Sequence, residues 1–443
     1  MVAEKLDRYT KGIQKLNTIR TSGRVVQVVG LTVEAVGLDC QIGEVCEIRS
    51  NSSMPILAEV VGFRNRSTLL MPLGNMEGIQ PNSSVFPIGT VFQAPVGEKL
   101  LGRVLDGIGN PIDSLGKLED GPKRPIFNYA PHPLERKVIE EPLITGVRAI
   151  DGLLTCGKGQ RMGIFAGSGV GKSTLLGAIA RSTSSDVSVI AMIGERGREV
   201  REFIERDLGP EGLKRSVVVV STSDKPALLR LKAAWVAMTI AEYFRDKGLD
   251  VTFLMDSVTR FAMAQREVGL AIGEPPASRG YTPSVFALLP QLLERAGTGR
   301  TGSITGYFSV LVEGDDFNEP ICDAVRGILD GHIILSRELA MRNHYPAIDV
   351  LGSISRVMPS IITQDHKEKA AITRKLLATY EKARDLINIG AYVHGTDPDI
   401  DASIRALPAL NNFLLQGPEH CQLDKTYQLL DEVVTTGEKS NGS

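Results

Sequence analysis

The sequence predicts an α/β core preceded by a small β-barrel and followed by a domain of helices. Three observations carry that reading. Between Gly23 and Gly89 short β segments follow one another at turn-length spacing. From about Leu100, apolar runs of strand length alternate with helical stretches, and beyond about Gln364 the strands stop and charged helical segments take over. Closely spaced short strands are the pattern of a barrel. Continuous apolar runs are the pattern of parallel strands buried on both faces.

Residues 4–19 read as one amphipathic helix. Leu6, Tyr9, Ile13 and Leu16 fall on one face, Lys5, Arg8, Lys11 and Lys15 outnumber Glu4 and Asp7, and Gly12 weakens the helix by about 1 kcal/mol relative to Ala. The stripe suits packing on its own domain or docking on a partner. The expected barrel strands are Arg24–Val29, Val33–Leu38, Gly43–Ile48, Ile56–Gly62 and Ser84–Ile88. The core strands are Met162–Ala166, Val187–Ile193, Val217–Val220, Val251–Met255 and Ile304–Val312, with helices over Ser173–Arg181, Ala227–Arg245 and Val258–Val268. Lys367–Ile389 and Lys425–Val434 read as helices, and the terminal GEKSNGS as disordered. The division is a docking helix (1–19), a barrel (20–97), an α/β domain (98–364) and a helical domain with its tail (365–443).

Composition narrows the function. The chain has 443 residues with 50 basic and 52 acidic side chains, so bulk charge does not hold it to nucleic acid. No apolar run approaches the ~18 residues of a membrane span, and the N-terminus lacks the apolar core of a signal peptide. Cys40, Cys46, Cys156, Cys322 and Cys421 are odd in number, scattered and without metal-ligand spacing. They read as buried small hydrophobes in a reducing cytoplasm.

The strand MGIFA runs into Ala166, Gly167, Ser168, Gly169, Val170, Gly171, Lys172 and Ser173, followed by Thr174 and a helix. This is a P-loop in its strand–loop–helix context, with Ala166 replacing the first glycine. Backbone N–H groups of Gly167–Gly171 can turn around phosphate oxygens. The helix adds its positive end, Lys172 offsets β/γ-phosphate charge, and Ser173 suits Mg²⁺. A second acidic group belongs at the end of a neighbouring strand, and Asp256 closes the apolar run from Val251. A hydrolase also needs a group to orient water. Glu195 follows the strand Val187–Ile193, where α/β sites form; from pattern alone it reads equally as a surface carboxylate paired to Arg198.

The segments AGSGVGKST, IGERGREV, FLMDSVTRFAMAQREV and YPAIDVLGSISR together resemble the rotary ATP synthase α/β superfamily. GRVLDGIGNPID, PPASRGYTPSVFALLPQLLERAG and DLINIGAYVHGTDPDID are similar to its flagellar and type III secretion export branch. The resemblance covers Gly23 to about Val434. It implies an N-terminal β-barrel, a RecA-like P-loop ATPase domain and a C-terminal helical domain, in a ring of six with nucleotides at the interfaces. Lys172 and Ser173 match the phosphate and magnesium positions, Asp256 the second acidic position, and Glu195 the catalytic glutamate. Arg196 and Arg260 match nearby arginines. Tyr345 matches an aromatic that stacks on adenine, with an ordinary core tyrosine as the alternative. Arg356 matches an arginine finger given in trans to the neighbouring subunit, where an isolated arginine after a strand is more often solvated or paired.

The implied activity is hydrolysis of ATP to ADP with Mg²⁺, energising flagellar protein export from the cytoplasm, peripherally at the inner membrane. The implied partners are a peripheral-stalk-like regulator at the N-terminal helix, a central coiled-coil stalk protein, the export gate, chaperones and exported substrates. Three alternatives stand beside it: the injectisome version, a catalytic subunit of a rotary ATP synthase, and a hexameric nucleic-acid motor. The last needs a basic groove with stacking aromatics. Residues 20–99 hold six basic and seven acidic side chains, and their only aromatics are Phe63, Phe86 and Phe92.

Overall fold

A computed structural model of the chain describes residues 21–438, apart from 51–53, 120, 313 and 315. The expected helix over residues 4–19 lies outside the described residues. The rest forms two compact units. One holds the residues up to Phe92 with Glu267–Glu274; the other holds Gln93–Arg266 and everything from Pro275.

The first unit is a closed barrel of strands β1 (Gly23–Val29), β2 (Thr32–Val36), β3 (Glu44–Arg49), β4 (Ile56–Arg64), β5 (Ser67–Pro72) and β6 (Ser84–Val91), in the order β1-β2-β5-β4-β3-β6. Its interior is small and aliphatic: Val33, Ala35, Ala58, Val60, Leu70 and Val85 are fully buried. Five of the six strands were expected; β5 was not. Its residues from Thr68 to Pro72 are buried without alternation, so the period-2 signal of a half-buried strand is missing.

The second unit is built on a twisted, mainly parallel sheet. Its strands are β7 (Val104–Asp106), β8 (Arg161–Ala166), β9 (Val187–Ile193), β10 (Ser216–Ser221), β11 (Asp250–Asp256), β12 (Ser303–Leu311), β13 (Gly331–Leu335) and β14 (Ile348–Ser355). The order is β14-β13-β8-β12-β11-β9-β10-β7. Only β14 runs antiparallel to its neighbour on this path. The longer helices are α1 (Lys172–Ser182), α2 (Ala227–Asp246), α3 (Val258–Ile272), α4 (Pro283–Leu293), α5 (Pro320–Ile328), α6 (Gln364–Asn388), α7 (Pro398–Leu414) and α8 (Leu423–Glu438).

The C-terminal helices share a core with the sheet. Leu376, Leu410, Phe413 and Leu430 are buried in one cluster with Ile150, Leu153 and Ile164. The helix Arg148–Leu153 makes one contact, and Arg374 of α6 makes another by donating to the Val350 and Ser353 carbonyls of β14. A side chain on Gly152 would strike the Phe413 ring, and the Gly152 carbonyl lies 2.8 Å from His366 Nε2. Helix α7, which carries Pro398 and Pro408, was not among the expected helical segments. Pro398 sits in the first turn, where no N–H is needed, and Asp397 caps the helix by accepting from Asp399 and Ile400 N–H. Gly437 and Glu438, expected in the disordered tail, end α8. Two of the five cysteines depart from the expectation: Cys40 and Cys421 are half-exposed, because they lie in loops, while Cys46, Cys156 and Cys322 are buried.

One buried ion pair fixes the segment leading into the sheet. Arg295, fully buried, donates to both carboxylate oxygens of Glu242 on α2, at 2.8 and 2.6 Å. It also donates to the Ile126 carbonyl and the Thr239 hydroxyl and stacks on Trp235. Removing one partner strands the other charge in the interior. Glu242→Ala should therefore destabilise the fold by about 3–5 kcal/mol, read as a lowered urea midpoint. An unchanged midpoint would show that the pair contributes nothing net.

Candidate active site

The site assembles at the carboxyl ends of the parallel strands. Gly167–Gly171 leave β8 and enter α1, with Gly169 and Gly171 at positive φ of 77° and 90°, backbone that glycine adopts without strain. Val170 is buried and anchors the loop, while Ser168 and Gly169 face solvent. Lys172, Ser173 and Thr174 form the first turn of α1, whose free N–H groups and positive end suit an anion.

Lys172, Asp256 and Glu195 converge although the first and second are 84 positions apart in the chain. The Lys172 ammonium contacts Asp256 Oδ1 directly and lies 3.8 Å from Glu195 Oε1. All three side chains are nearly buried. Sheet order explains the meeting: β8 and β11 flank β12, so Lys172 reaches across the end of one strand. Glu195 leaves the end of β9, which pairs with β11 up to Met192 opposite Asp256.

Glu195 does not pair with Arg198, which lies 3.9 Å from Glu202 instead. Its Oε1 is buried and has no hydrogen-bond partner. Burial chiefly, then the Asp256 carboxylate, pushes its pKa up to about 7; Lys172 opposes them, a hydrogen bond with the Glu199 side chain adds to the rise, and Arg260 opposes it. Arg260 packs its stem on Gly194, and its buried Nε is unpartnered. Glu199 was missed in the sequence; its place four residues beyond Glu195, in the first turn of the helix Gly197–Glu202, was the available signal.

The remaining expected residues divide. The Tyr345 ring covers Gly171: a Cβ there would lie 3.4 Å from the ring edge. It is 40% exposed, which does not suit an ordinary core tyrosine. Arg196 points to solvent and pairs with Glu199 at 3.1 Å, away from the cluster. Arg356 is also apart. Tyr345 precedes β14 and Arg356 follows it, eight residues of strand, or about 26 Å, between them. Ser355 pairs with Gly331 at the amino end of β13, whereas Leu335 pairs with Ala166 beside the P-loop. Arg356 therefore sits at the end of the sheet opposite its own P-loop.

The cluster suits a phosphate chain with a hard cation. Among the described residues, no group of three or more His, Cys, Asp or Glu could hold a metal alone. The Ser173 hydroxyl and the Asp256 and Glu195 carboxylates are oxygen donors that fit Mg²⁺ when phosphate and water complete its shell. The orphaned Glu195 oxygen fits a water at the reacting end.

The chain is similar to known proteins over most of its length. The family model for the ATP synthase alpha/beta nucleotide-binding domain matches residues 146–355, and that family's β-barrel model matches 25–89. The model for the C-terminal domain of the type III secretion ATPase EscN matches 362–432. The chain is 55% identical to the flagellum-specific ATP synthase of Bacillus subtilis (strain 168), over 92% of this chain and 93% of that one. It is 52% identical to the type 3 secretion system ATPase of Xanthomonas euvesicatoria, over 94% of each. The assembled ATPase EscN of enteropathogenic E. coli superposes with a TM-score of 0.88 at 48% identity, covering 93% of this chain and 100% of that one. The same ATPase in complex with its central stalk EscO gives 0.87 at 47%, with the same coverage.

Proposed function

The chain belongs to the ATP synthase alpha/beta family, in the branch of flagellar and type III secretion ATPases, and from that premise we propose that it hydrolyses ATP to ADP and phosphate in a ring of six that energises flagellar protein export. The observation that carries the ATPase reading is the buried meeting of Lys172, Asp256 and Glu195 beside the P-loop.

In this reading Gly167–Gly171 wrap the phosphates, and Lys172 turns from Asp256 toward the β/γ oxygens. Ser173 and Asp256 would hold Mg²⁺, which when bound would neutralise charge on the phosphates. Tyr345 stacks on adenine. Glu195 orients a water and takes its proton as the water oxygen bonds the γ-phosphorus and the bond to the β-phosphate bridging oxygen breaks. Arg260 lies beside Glu195, and Arg196 beyond it at the rim. Arg356 serves the neighbouring subunit.

A base must be ionised to work. With the Glu195 pKa near 7, kcat/KM should rise about tenfold per pH unit below that value and level off above it. A flat profile from pH 5.5 to 8 would remove Glu195 from that role.

The C-terminal match to residues 362–432 supports the export branch over a rotary synthase subunit or a nucleic-acid motor. The solved EscN–EscO complex supports a central stalk partner here. The regulator at residues 1–19, the export gate, chaperones and substrates complete the proposed partners, at the cytoplasmic face of the membrane. No described helix is long and apolar enough to cross one. The injectisome reading is kept by the 52% identity to the Xanthomonas ATPase. Two measurements test the assignment: Mg²⁺-dependent ATPase activity of the purified protein, and rescue of a strain deleted for its flagellar ATPase. Restored swimming supports the flagellar reading. Restored secretion in an injectisome deletion strain without restored swimming overturns it in favour of the other.

A further inference from the structure

Strand β12 separates the P-loop strand from the strand that ends in Asp256, so whatever it carries at its carboxyl end lies beneath the bridge between them. Its parallel register sets Phe308 opposite Met255 and hence Ser309 opposite Asp256; on the other side Ser309 stands opposite Ile164 of β8. Residues opposite one another on adjacent strands point to the same face of the sheet. The Ser309 side chain is fully buried, and its hydroxyl donates to Asp256 Oδ1 at 2.7 Å. That oxygen is the one that Lys172 contacts. The end of β12 is itself held, because Leu311 N–H donates to the buried Thr259 hydroxyl at 2.9 Å, just beyond Asp256 in the chain.

A hydroxyl in this place has a cost unless it is used. Every other β12 residue from Ile304 to Val310 is also buried, and an apolar side chain would fill position 309 without a polar group to satisfy. The two donors on Oδ1 differ in what happens when nucleotide enters. Lys172 is drawn to the phosphates, whereas Ser309 is fixed in the sheet and stays. A carboxylate that lost its only donor would be free to rotate.

We infer that Ser309 is a positioning residue that holds the Asp256 carboxylate in place once Lys172 has turned to the phosphates, so that the carboxylate would be held ready for the metal. The inference rests on the P-loop ATPase reading and concerns metal-dependent binding, not the catalytic step. Second-layer partners of a metal site change metal affinity by about 10–100-fold. A group that merely packs the sheet would change nucleotide binding alike with and without metal.

The test measures the affinity of the purified full chain for a fluorescent ADP analogue, once in excess Mg²⁺ and once in EDTA. Wild type should bind more tightly with the metal. Ser309→Ala should lose on the order of tenfold in Mg²⁺-dependent affinity while its affinity in EDTA stays that of wild type. Ser309→Thr and Ser309→Val have the same shape and differ only in the hydroxyl, so any crowding from the added methyl is common to both. Thr should keep the metal-dependent gain and Val should lose it. Equal affinities for Thr and Val under both conditions overturn the proposal. So does a loss of equal size in EDTA and Mg²⁺. If the larger pair fails to fold, judged by thermal melting, Ser309→Ala against wild type still decides. A wild-type chain that binds no nucleotide would sink the ATPase reading itself, which separates that failure from the failure of Ser309.

Discussion

Glu195→Gln should lower ATP turnover by on the order of 10²–10⁴-fold and leave nucleotide binding at least as tight as in wild type. The amide fills the same space but takes no proton. The carboxylate it replaces is costly to the resting site: Oε1 is buried without a hydrogen-bond partner, and the Asp256 carboxylate raises the pKa of its group. Removing that negative charge also removes a repulsion that incoming phosphates would meet, so the affinity has reason to hold or improve. Lys172→Ala should do the opposite and weaken binding, because it takes a positive charge from the cradle and leaves Asp256 without its ion-pair partner. Steady-state hydrolysis and binding of a fluorescent ADP analogue, measured on both variants, separate the two effects. Near wild-type hydrolysis by Glu195→Gln would reduce Glu195 to a buried carboxylate of no catalytic consequence. The pH limb near 7 should vanish from whatever activity the variant retains.

What could be read from the sequence follows how local each feature is. The P-loop was legible because its glycines and its lysine are set by the backbone path of one short segment. Asp256 was legible because it closes an apolar run, and Glu195 because it follows one; their meeting was not, since it depends on β12 entering between β8 and β11. Ser309 was illegible for the same reason. It looks like Ser188, Thr252 and Thr305, hydroxyl residues equally buried in β9, β11 and β12, and only the strand register singles it out. The Arg295–Glu242 pair joins residues 53 positions apart, and nothing near either one signals the other. Strand β7 has three residues, too few to carry a period. Strand β14 was visible as a signature segment but not as a spacer, and its length is what sets Tyr345 and Arg356 at opposite ends of the sheet.

That separation leads to the other large effect. Arg356→Ala should be nearly inactive, because an arginine aimed at the charge developing on the transferred phosphoryl group is worth ~10³–10⁵ in rate in other phosphoryl-transfer systems. Within one chain the arginine has no route to its own P-loop. Its backbone N–H donates to the Asp330 carbonyl at the amino end of the sheet, and its guanidinium donates to the Leu329 carbonyl, at 3.4 Å. A residue exposed there can serve a site only on a neighbouring subunit. Lys172→Ala and Arg356→Ala should therefore complement each other. When the two inactive proteins are mixed before assembly, some interfaces join an intact P-loop to an intact Arg356, and those interfaces are wild type in both parts. Activity should return in the mixture and pass through a maximum near equal proportions, while neither variant alone recovers at any concentration. The measurement is ATPase activity across mixing ratios, with differently tagged subunits co-purified to establish that mixed rings form. Verified mixed rings without activity at any ratio would mean that Arg356 does not act across the interface. The loss in the single variant would then have to come from the amino end of the sheet, where Arg356 ties β14 to the turn before β13.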